Sequence, residues 1–243
     1  MTERKAVSYI GVYLWRRERF GMVFTLLFSV YLGFIISTTV DALLDSSEEV
    51  PKWLNVMADW IYLMMFPTFG MVMNKAAWGM WRDDFYSKRL AHWRSMPIPA
   101  ASIVKARMLQ SAIMLPVIGT VFMVLQYAVA PHLRESVSPL QWIENGIVWA
   151  CYGLVLIAVY VWLELGFSGK WYCIYYFGIM FLMAVVSIVL TWQGIYLFQE
   201  VLGIILRGYG GVLIAGMAIA AGAALWLSHR MTINRIRARS MPL

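Results

Sequence analysis

Long stretches without charge are the strongest constraint on how this chain folds. The segments 20–40, 60–74, 108–133, 145–163, 171–199 and 208–229 contain no Asp, Glu, Lys or Arg. A helix needs about 20 mostly apolar residues to cross the hydrocarbon of a bilayer, where every backbone polar group must pair internally. The runs are continuous rather than alternating, which argues against a β-barrel. The sequence therefore predicts an all-α integral membrane protein, a single domain over 1–243 with six transmembrane helices.

The basic residues predict the orientation of these helices. Of the 20 Lys and Arg residues, only Lys52, Arg134 and Arg207 fall on one side of the six-span topology. Cytoplasmic loops carry the excess of Lys and Arg, so both termini are expected in the cytoplasm and the protein in the plasma membrane. This topology, together with attraction to anionic membrane lipid, accounts for the net charge of +7 without a nucleic-acid partner.

Four segments outside the spans have patterns of their own. Val7, Ile10 and Leu14 are spaced for an interfacial helix within residues 1–20. Residues 81–106 form the charged loop between the second and third spans, and residues 228–243 form a basic tail. Residues 193–210 are apolar but interrupted by glycines, which predicts a re-entrant outer hairpin of short helices before the last span.

The charged loop predicts a short amphipathic helix. Asp83 and Asp84 suit a helix N-terminus, and Tyr86, Leu90 and Trp93 then fall on one apolar face, away from Lys88, Arg89 and Arg94. Pro97 and Pro99 end that helix, and a second begins near residue 100 and continues into the third span. Such a helix either binds a partner or lies on lipid headgroups.

This loop resembles that of the ATP-binding-cassette type-2 permeases. Arg94-Ser95-Met96-Pro97 and Ile103-Val104-Lys105-Ala106-Arg107 stand where that family has a leucine–serine–leucine–proline segment followed by isoleucine and a basic residue. Met96 replaces the commoner leucine. The family layout is also similar: an interfacial N-terminal helix, six spans, and a broken outer hairpin before the last helix.

The resemblance implies a permease subunit of an ATP-driven exporter. Two permease subunits, identical or different, would pair with two ATPase subunits, which bind ATP and Mg²⁺; this chain would bind no cofactor and catalyse no reaction. No G-x-x-x-x-G-K-[ST] phosphate loop is present in it. The loop would be the coupling helix that contacts the ATPase, through Asp83, Asp84, Tyr86, Arg89, Leu90, Trp93, Arg94 and Pro97.

By the same resemblance, the second and fifth helices line the export path. Their faces would present Met64, Phe66, Met71, Phe177, Met180, Phe181 and Met183. A surface rich in Met suits a hydrophobic or amphipathic cargo, such as a peptide, drug or lipid, although core packing gives the same composition. Charged residues in or near spans are functional candidates: Glu164, which has Lys170 or water as its expected partner, and Glu200 with Arg207, as an ion pair or gate.

Two other functions fit parts of the sequence. Residues 166–169, GFSG, match a motif of rhomboid-type intramembrane serine proteases, with Ser168 as nucleophile and His229 as the available base. A tight turn between helices explains the same residues, and the H-x-x-x-N helix of that family is missing. A substrate-capture membrane subunit of an importer is the other alternative. His92, His132 and His229 lack the spacing of metal ligands, so no metal site is predicted.

Overall fold

The chain is folded entirely into helices over the part that is described. The computed structural model describes residues 2–45, 50–73, 81 and 84–239, and these contain no β-strand. The α-helices are α1 (Glu3–Leu44), α2 (Lys52–Trp60), α3 (Phe66–Thr68), α4 (Phe85–Arg94), α5 (Ala100–Val129), α6 (Pro131–Ser136), α7 (Pro139–Gly166), α8 (Gly169–Trp192), α9 (Leu197–Ile204) and α10 (Gly210–Ala238). Two π-helical segments, Ile61–Met65 and Ile205–Tyr209, connect α2 to α3 and α9 to α10.

Among the described residues, five helical stretches are long and apolar enough to cross a membrane, as expected for a multi-pass membrane protein. They are α1, α5, α7, α8 and the continuous stretch Leu197–Ala238. The sequence predicts a sixth span near 55–73. In the structure that region is a shorter helical stretch, 52–68, followed by a turn at Phe69 and Gly70. Its length falls below the roughly 20 residues that a membrane-spanning helix needs.

The first helix differs from the expected interfacial helix followed by a separate span. Glu3–Leu44 is one α-helix of 42 residues. This stretch contains no proline to break it, and each of its three glycines costs only about 1 kcal/mol. One stripe of side chains is buried along its whole length, from Ala6 through Leu14 and Glu18 to Leu43. Packing on the rest of the protein therefore keeps both halves of α1 in line.

The long helices pack as neighbours, and both ends of the chain lie at the same end of the bundle. The most extensive contacts join α1 to α5 and α7 to α10, and α5 also packs on α7. At one end, Lys105 pairs with Glu3, and Arg94 donates to the carbonyls of Ile236 and Arg239. We call this the charged end, and the opposite end, which contains α6, the far end.

The stretch 52–68 lies in the interior of the bundle. Tyr62 is fully buried and donates a hydrogen bond to Gln126 Oε1 at 2.7 Å. Its ring lies 4.7 Å from that of Phe198 and 4.8 Å from that of Trp149, measured between centroids. Aromatic pairs at these distances add to the stabilisation that burial provides. The aromatic cluster therefore joins the short central stretch to α5, α7 and α9.

The segment 193–210 is a turn, a short helix and a π-helical turn. Gly194 and Gly208 adopt positive φ angles of 77° and 87°, which a side chain would make unfavourable. Asp59 accepts hydrogen bonds from the backbone N–H groups of Leu197 and Phe198, at 3.0 and 2.8 Å. A carboxylate from α2 thus caps the N-terminus of α9, which has no side-chain cap of its own.

The outer surfaces of α8 and α10 are apolar and exposed. Phe177, Phe181 and Trp192 on α8, and Val212 and Ile219 on α10, are each more than half exposed. Exposed apolar surfaces of this kind on a helical bundle are suited to lipid or to another protein subunit.

The far end contains an ion pair that joins α6 to α1. The backbone N–H of His132 donates to Asp41 Oδ1 at 2.8 Å, and His132 Nδ1 lies 3.0 Å from Asp41 Oδ2. The hydrogen bond to Asp41 is the main cause of a raised pKa for His132.

We expect Asp59→Ala to release α9. Without the carboxylate, the amides of Leu197 and Phe198 lose their acceptor, and a lost N-cap typically costs about 1 kcal/mol. Hydrogen exchange of residues 197–204 in detergent should accelerate, and Asp59→Asn, which keeps one acceptor oxygen, should give an intermediate rate. Unchanged exchange in both variants would show that the cap does not hold the helix.

We expect the far end to loosen as the pH rises. The pKa of His132 is raised in the folded protein, so its pairing with Asp41 contributes fully below the unfolded value of about 6.5 and is lost as the pH rises through the higher folded value. After correction for the base-catalysed rise of intrinsic exchange with pH, the protection factors of the α6 amides should fall over that window in the wild type. They should show no such fall in Asp41→Asn, and an equal fall in both proteins would contradict the assignment.

Candidate functional site: a buried charge cluster beneath the loop helix

The helix α4 lies in the loop for which the sequence predicts a helix, and α5 begins directly after Pro97 and Pro99. Leu90 and Trp93 are 1% exposed, and the Trp93 ring contacts that of Tyr13 on α1 edge to face. The apolar face of α4 is therefore covered by the protein's own helices at the charged end.

Arg89 extends from the covered face of α4 into a cluster of four charged side chains. Its Nη1 donates to Glu18 Oε1 on α1 at 2.9 Å, and its Nη2 donates to Glu164 Oε1 on α7. Arg107 on α5 binds the same Glu164 carboxylate, with Nε 3.1 and 3.0 Å from the two oxygens. Two carboxylates and two guanidinium groups thus alternate, and their formal charges sum to zero.

Polar side chains of α5 complete the cluster. Gln110 donates through Nε2 to Glu18 Oε2 at 2.8 Å and accepts through Oε1 from Arg107 Nη1 at 2.7 Å. Ser111 lies 3.5 Å from the same nitrogen. Each carboxylate oxygen of the cluster therefore has a donor, which a buried ion pair requires in order to be tolerated.

The cluster is shielded from solvent on all sides. The side chains of Glu18, Arg89, Arg107 and Glu164 are exposed by 4% or less. Aromatic rings surround the Arg89 guanidinium: its Cζ lies 5.0 Å from the Trp93 ring centroid and 5.2 Å from that of Tyr86. Removing one member would leave an uncompensated buried charge, which typically costs about 3–5 kcal/mol.

Three further contacts attach α4 to α8 and α10. Asp84 accepts a hydrogen bond from the Gly169 N–H at 2.7 Å and so caps α8, although Asp84 itself adopts the left-handed region with φ 41°. Arg239 donates to the Phe167 carbonyl at 2.9 Å and to Ser87 on α4. Arg94 donates to carbonyls at the end of α10, where a cation is favourable. Through these contacts and the cluster, α4 contacts α1, α7 and α10 and the start of α8, and it is linked to α5 through the carboxylates of Glu18 and Glu164.

The opposite face of α4 is exposed. Lys88, His92, Arg94, Ser95 and Pro97 are exposed, and they carry positive charge without a carboxylate among them. A partner that docks on the loop without unfolding it would contact these side chains.

The predicted contact residues of the loop divide into two groups. Arg89, Leu90 and Trp93 are buried, and Asp84 and Tyr86 are partly buried, all within this chain. Arg94 and Pro97 are exposed, and Asp83 lies outside the described residues. The buried residues thus support the position of the helix from inside, and the surface open to a partner is the basic face.

The predicted partners of the charged candidates require correction. Glu164 binds Arg89 and Arg107, not Lys170, which is exposed, and its side chain is shielded from water. Glu200 and Arg207 are both exposed, and no ion pair joins them. In a protein interior an arginine fork satisfies a carboxylate better than a lysine does, and Arg107 approaches from the adjacent helix.

Of the predicted path residues, Met64, Met71, Met180 and Met183 lie where the central region packs on α8, whereas Phe66 packs on Phe122 of α5. Met64 and Phe66 are fully buried, and Met71, Met180 and Met183 are partly buried. Phe177 and Phe181 face outward. Trp60 donates to the Met180 carbonyl at 3.4 Å, and Tyr152 donates to the Leu63 carbonyl at 2.9 Å while also contacting Met183. These residues surround a packed contact between helices.

The protease pair is not joined by a hydrogen bond. Ser168 is the N-cap residue of α8, beside Asp84 and Arg239 of the charged end. His229 on α10 lies against the backbone of Ala101 instead. The described residues also contain no group of three or more His, Cys, Asp or Glu side chains that would hold a metal ion.

Sequence reasoning missed three members of the cluster: Glu18, Arg107 and Gln110. Glu18 interrupts the apolar stripe of α1, at the spacing of Leu14 and Met22, and a charge on a buried stripe is the sign that a partner is required. Arg107 is one of many basic residues near a predicted span end, and nothing in its local sequence distinguishes it.

No family model matches this chain, and no curated protein or solved structure is similar to it.

We expect the cluster to depend on its charge balance. Arg89→Gln should lower the free energy of unfolding of the purified protein by about 3–5 kcal/mol, because two buried carboxylates then share one arginine. Adding Glu18→Gln should recover part of the loss, since one neutral pair remains. The neighbouring exposed variant Lys88→Gln should have little effect. A double variant that is less stable by the full sum of the two single changes would exclude a shared cluster.

Proposed function

We propose that this protein is the permease subunit of an ATP-driven exporter and that α4 is its coupling helix. One observation carries the proposal: α4 presents a free basic face on one side, while Arg89 on the other side binds α1, α5 and α7 through the cluster. A displacement of α4 by a bound partner would be transmitted to α1, α5 and α7 through the charged hydrogen bonds of the cluster rather than through a flexible loop.

The charges of α4 favour an acidic groove on the partner. The exposed face carries Lys88, His92 and Arg94, so electrostatic attraction would orient the partner before contact. In the proposed complex the charged end faces the cytoplasm, consistent with the distribution of Lys and Arg, and the ATPase that docks there binds the ATP and Mg²⁺.

The apolar outer surface of α8 fits a second permease subunit, identical or different. Its most exposed side chains include Phe177 and Phe181, while its other face packs on the central stretch through Met180 and Met183. In the proposed dimer a hydrophobic or amphipathic cargo passes along this surface when ATPase closure separates the helices. The apolar lining suits a peptide, drug or lipid as this cargo.

Affinity purification in mild detergent tests the proposal. We expect an ATPase subunit to copurify in stoichiometric amount with the wild type. Combining Lys88→Glu with His92→Glu should reduce its recovery about tenfold or more by charge reversal on the docking face, without lowering the melting temperature. Lys170→Glu, which changes an exposed cation at the charged end but outside α4, is the matched control.

A second comparison separates docking from transmission. Arg89→Gln with Glu18→Gln should keep the ATPase bound, because the exposed face is intact, yet lose ATP-dependent transport in vesicles. The proposal would be contradicted if no ATPase copurified with the wild type, or if the Lys88→Glu, His92→Glu variant retained the ATPase. Cleavage of a membrane peptide that stops with Ser168→Ala would favour the protease.

A further inference from the structure

A second candidate site lies on the outer surface near the far end, between α5 and α7. It is a cavity of about 630 Å³ that is open along one side. Its walls are almost entirely apolar. The residues that define it best are Gly119, Thr120, Val124, Ala128, Gly146 and Ile147. We call this cavity the α5–α7 groove.

Small residues create the space. Gly119 packs against Phe66, where an added Cβ would lie 3.0 Å from the ring, so α5 stays close to the core at this point. Gly146 faces the groove, and its nearest neighbour, Met123, lies 3.6 Å from the position that a Cβ would take. The small residues at these two positions leave the space between α5 and α7 open.

Two of the polar groups in the walls are already bonded within the protein. Trp142 Nε1 donates to the Met123 carbonyl at 2.9 Å, and the Tyr127 hydroxyl donates to the Val137 carbonyl at 3.2 Å. The groove therefore presents mainly hydrocarbon and ring surfaces, which suit an apolar chain and disfavour a polar ligand.

The length of the groove fits one leaflet of a bilayer. Its lining on α5 runs from Pro116 to Ala128, a rise of about 18 Å at about 1.5 Å per residue. Half of a typical hydrocarbon core is about 15 Å thick. An extended acyl chain of a lipid in that leaflet would fill the groove lengthwise.

A cation lies at the mouth of the groove. Arg134 on α6 lines its end and is exposed. It forms no ion pair with any residue that the structure describes. The adjacent Glu135 acts electrostatically on His132, beside Asp41. A guanidinium without an ion-pair partner at the mouth of the apolar α5–α7 groove is complementary to a phosphate attached to an acyl chain.

The geometry points to a glycerophospholipid as the occupant of the α5–α7 groove, with one acyl chain between α5 and α7 and its phosphate at Arg134. A lipid with a net negative headgroup binds better than a zwitterionic one, because Arg134 forms no ion pair with the described residues. The groove lies at the opposite end from α4, so this binding requires no ATPase.

Photocrosslinking in vesicles tests the site on the full chain. The protein is reconstituted into phosphatidylcholine vesicles that contain a minor fraction of phosphatidylglycerol with a photoreactive acyl chain. We expect adducts to concentrate within 116–128 and 139–150. Unlabelled phosphatidylglycerol should compete about fivefold better than phosphatidylcholine, the effect expected of a single basic residue near an anionic group.

Two kinds of variant separate the chain from the headgroup. Gly146→Leu and, separately, Thr120→Leu fill the groove from opposite walls and should each reduce groove adducts about tenfold or more. Arg134→Gln should keep the adducts but remove the preference for phosphatidylglycerol. Gly178→Leu, at a glycine with open space around it, and Arg207→Gln, at an exposed cation outside the groove, are the matched controls. Gel filtration and melting curves establish that each variant is folded.

Any of the following results would overturn the proposal. The first is an adduct distribution that is as dense on α8 and α10 as in the groove. The second is groove labelling that survives both filling variants. The third is equal competition by the two lipids in the wild type, or displacement of the label by a hydrophobic peptide but not by unlabelled lipid, which would assign the groove to another apolar ligand.

Discussion

Charges that are removed from water must neutralise one another, and this requirement organises one end of the protein. Glu18, Arg89, Arg107 and Glu164 come from four different helices, and each is almost fully buried. Such a cluster adds little stability compared with apolar residues of the same volume, but it tolerates few alternative arrangements, since any displaced helix leaves a carboxylate or guanidinium alone. Apolar helices pack against one another in many ways, and the cluster selects one of them at the charged end.

The two candidate sites use the same helices at opposite ends. α5 contributes Arg107 to the charge cluster and Thr120 and Val124 to the α5–α7 groove, and α7 contributes Glu164 to the first and Gly146 to the second. A shift of α5 against α7 would change the cluster and the groove together. If the proposed ATPase moves α4, the affinity of the α5–α7 groove for its proposed lipid would change. Lipid binding would in turn change the affinity for the ATPase by the same factor.

The sequence predicts much of this fold because the bilayer leaves few choices. Uncharged runs locate the long helices, and Pro97 and Pro99 locate the break before α5. The unbroken α1 was not predictable, since an interfacial segment with Arg16, Arg17 and Arg19 has the composition of a separate helix. The cluster was harder still. Glu164 stands out because it follows a long apolar run, but its partners lie 57 and 75 residues away in the chain. Only the packing of α4 and α5 determines that Arg89 and Arg107, rather than the nearby Lys170, reach it.

The order of the four charges along the chain has a consequence for biosynthesis. Glu18 leaves the ribosome first, Arg89 and Arg107 follow, and Glu164 comes last. The Glu18 carboxylate on α1 therefore lacks its partners until the loop and α5 have been translated. Because an isolated charge within hydrocarbon is costly, we expect this part of α1 to stay near the membrane surface until then. The bundle thus closes at its charged end only after most of the chain has been made, and a product truncated before residue 89 leaves the Glu18 carboxylate without the arginine that neutralises it.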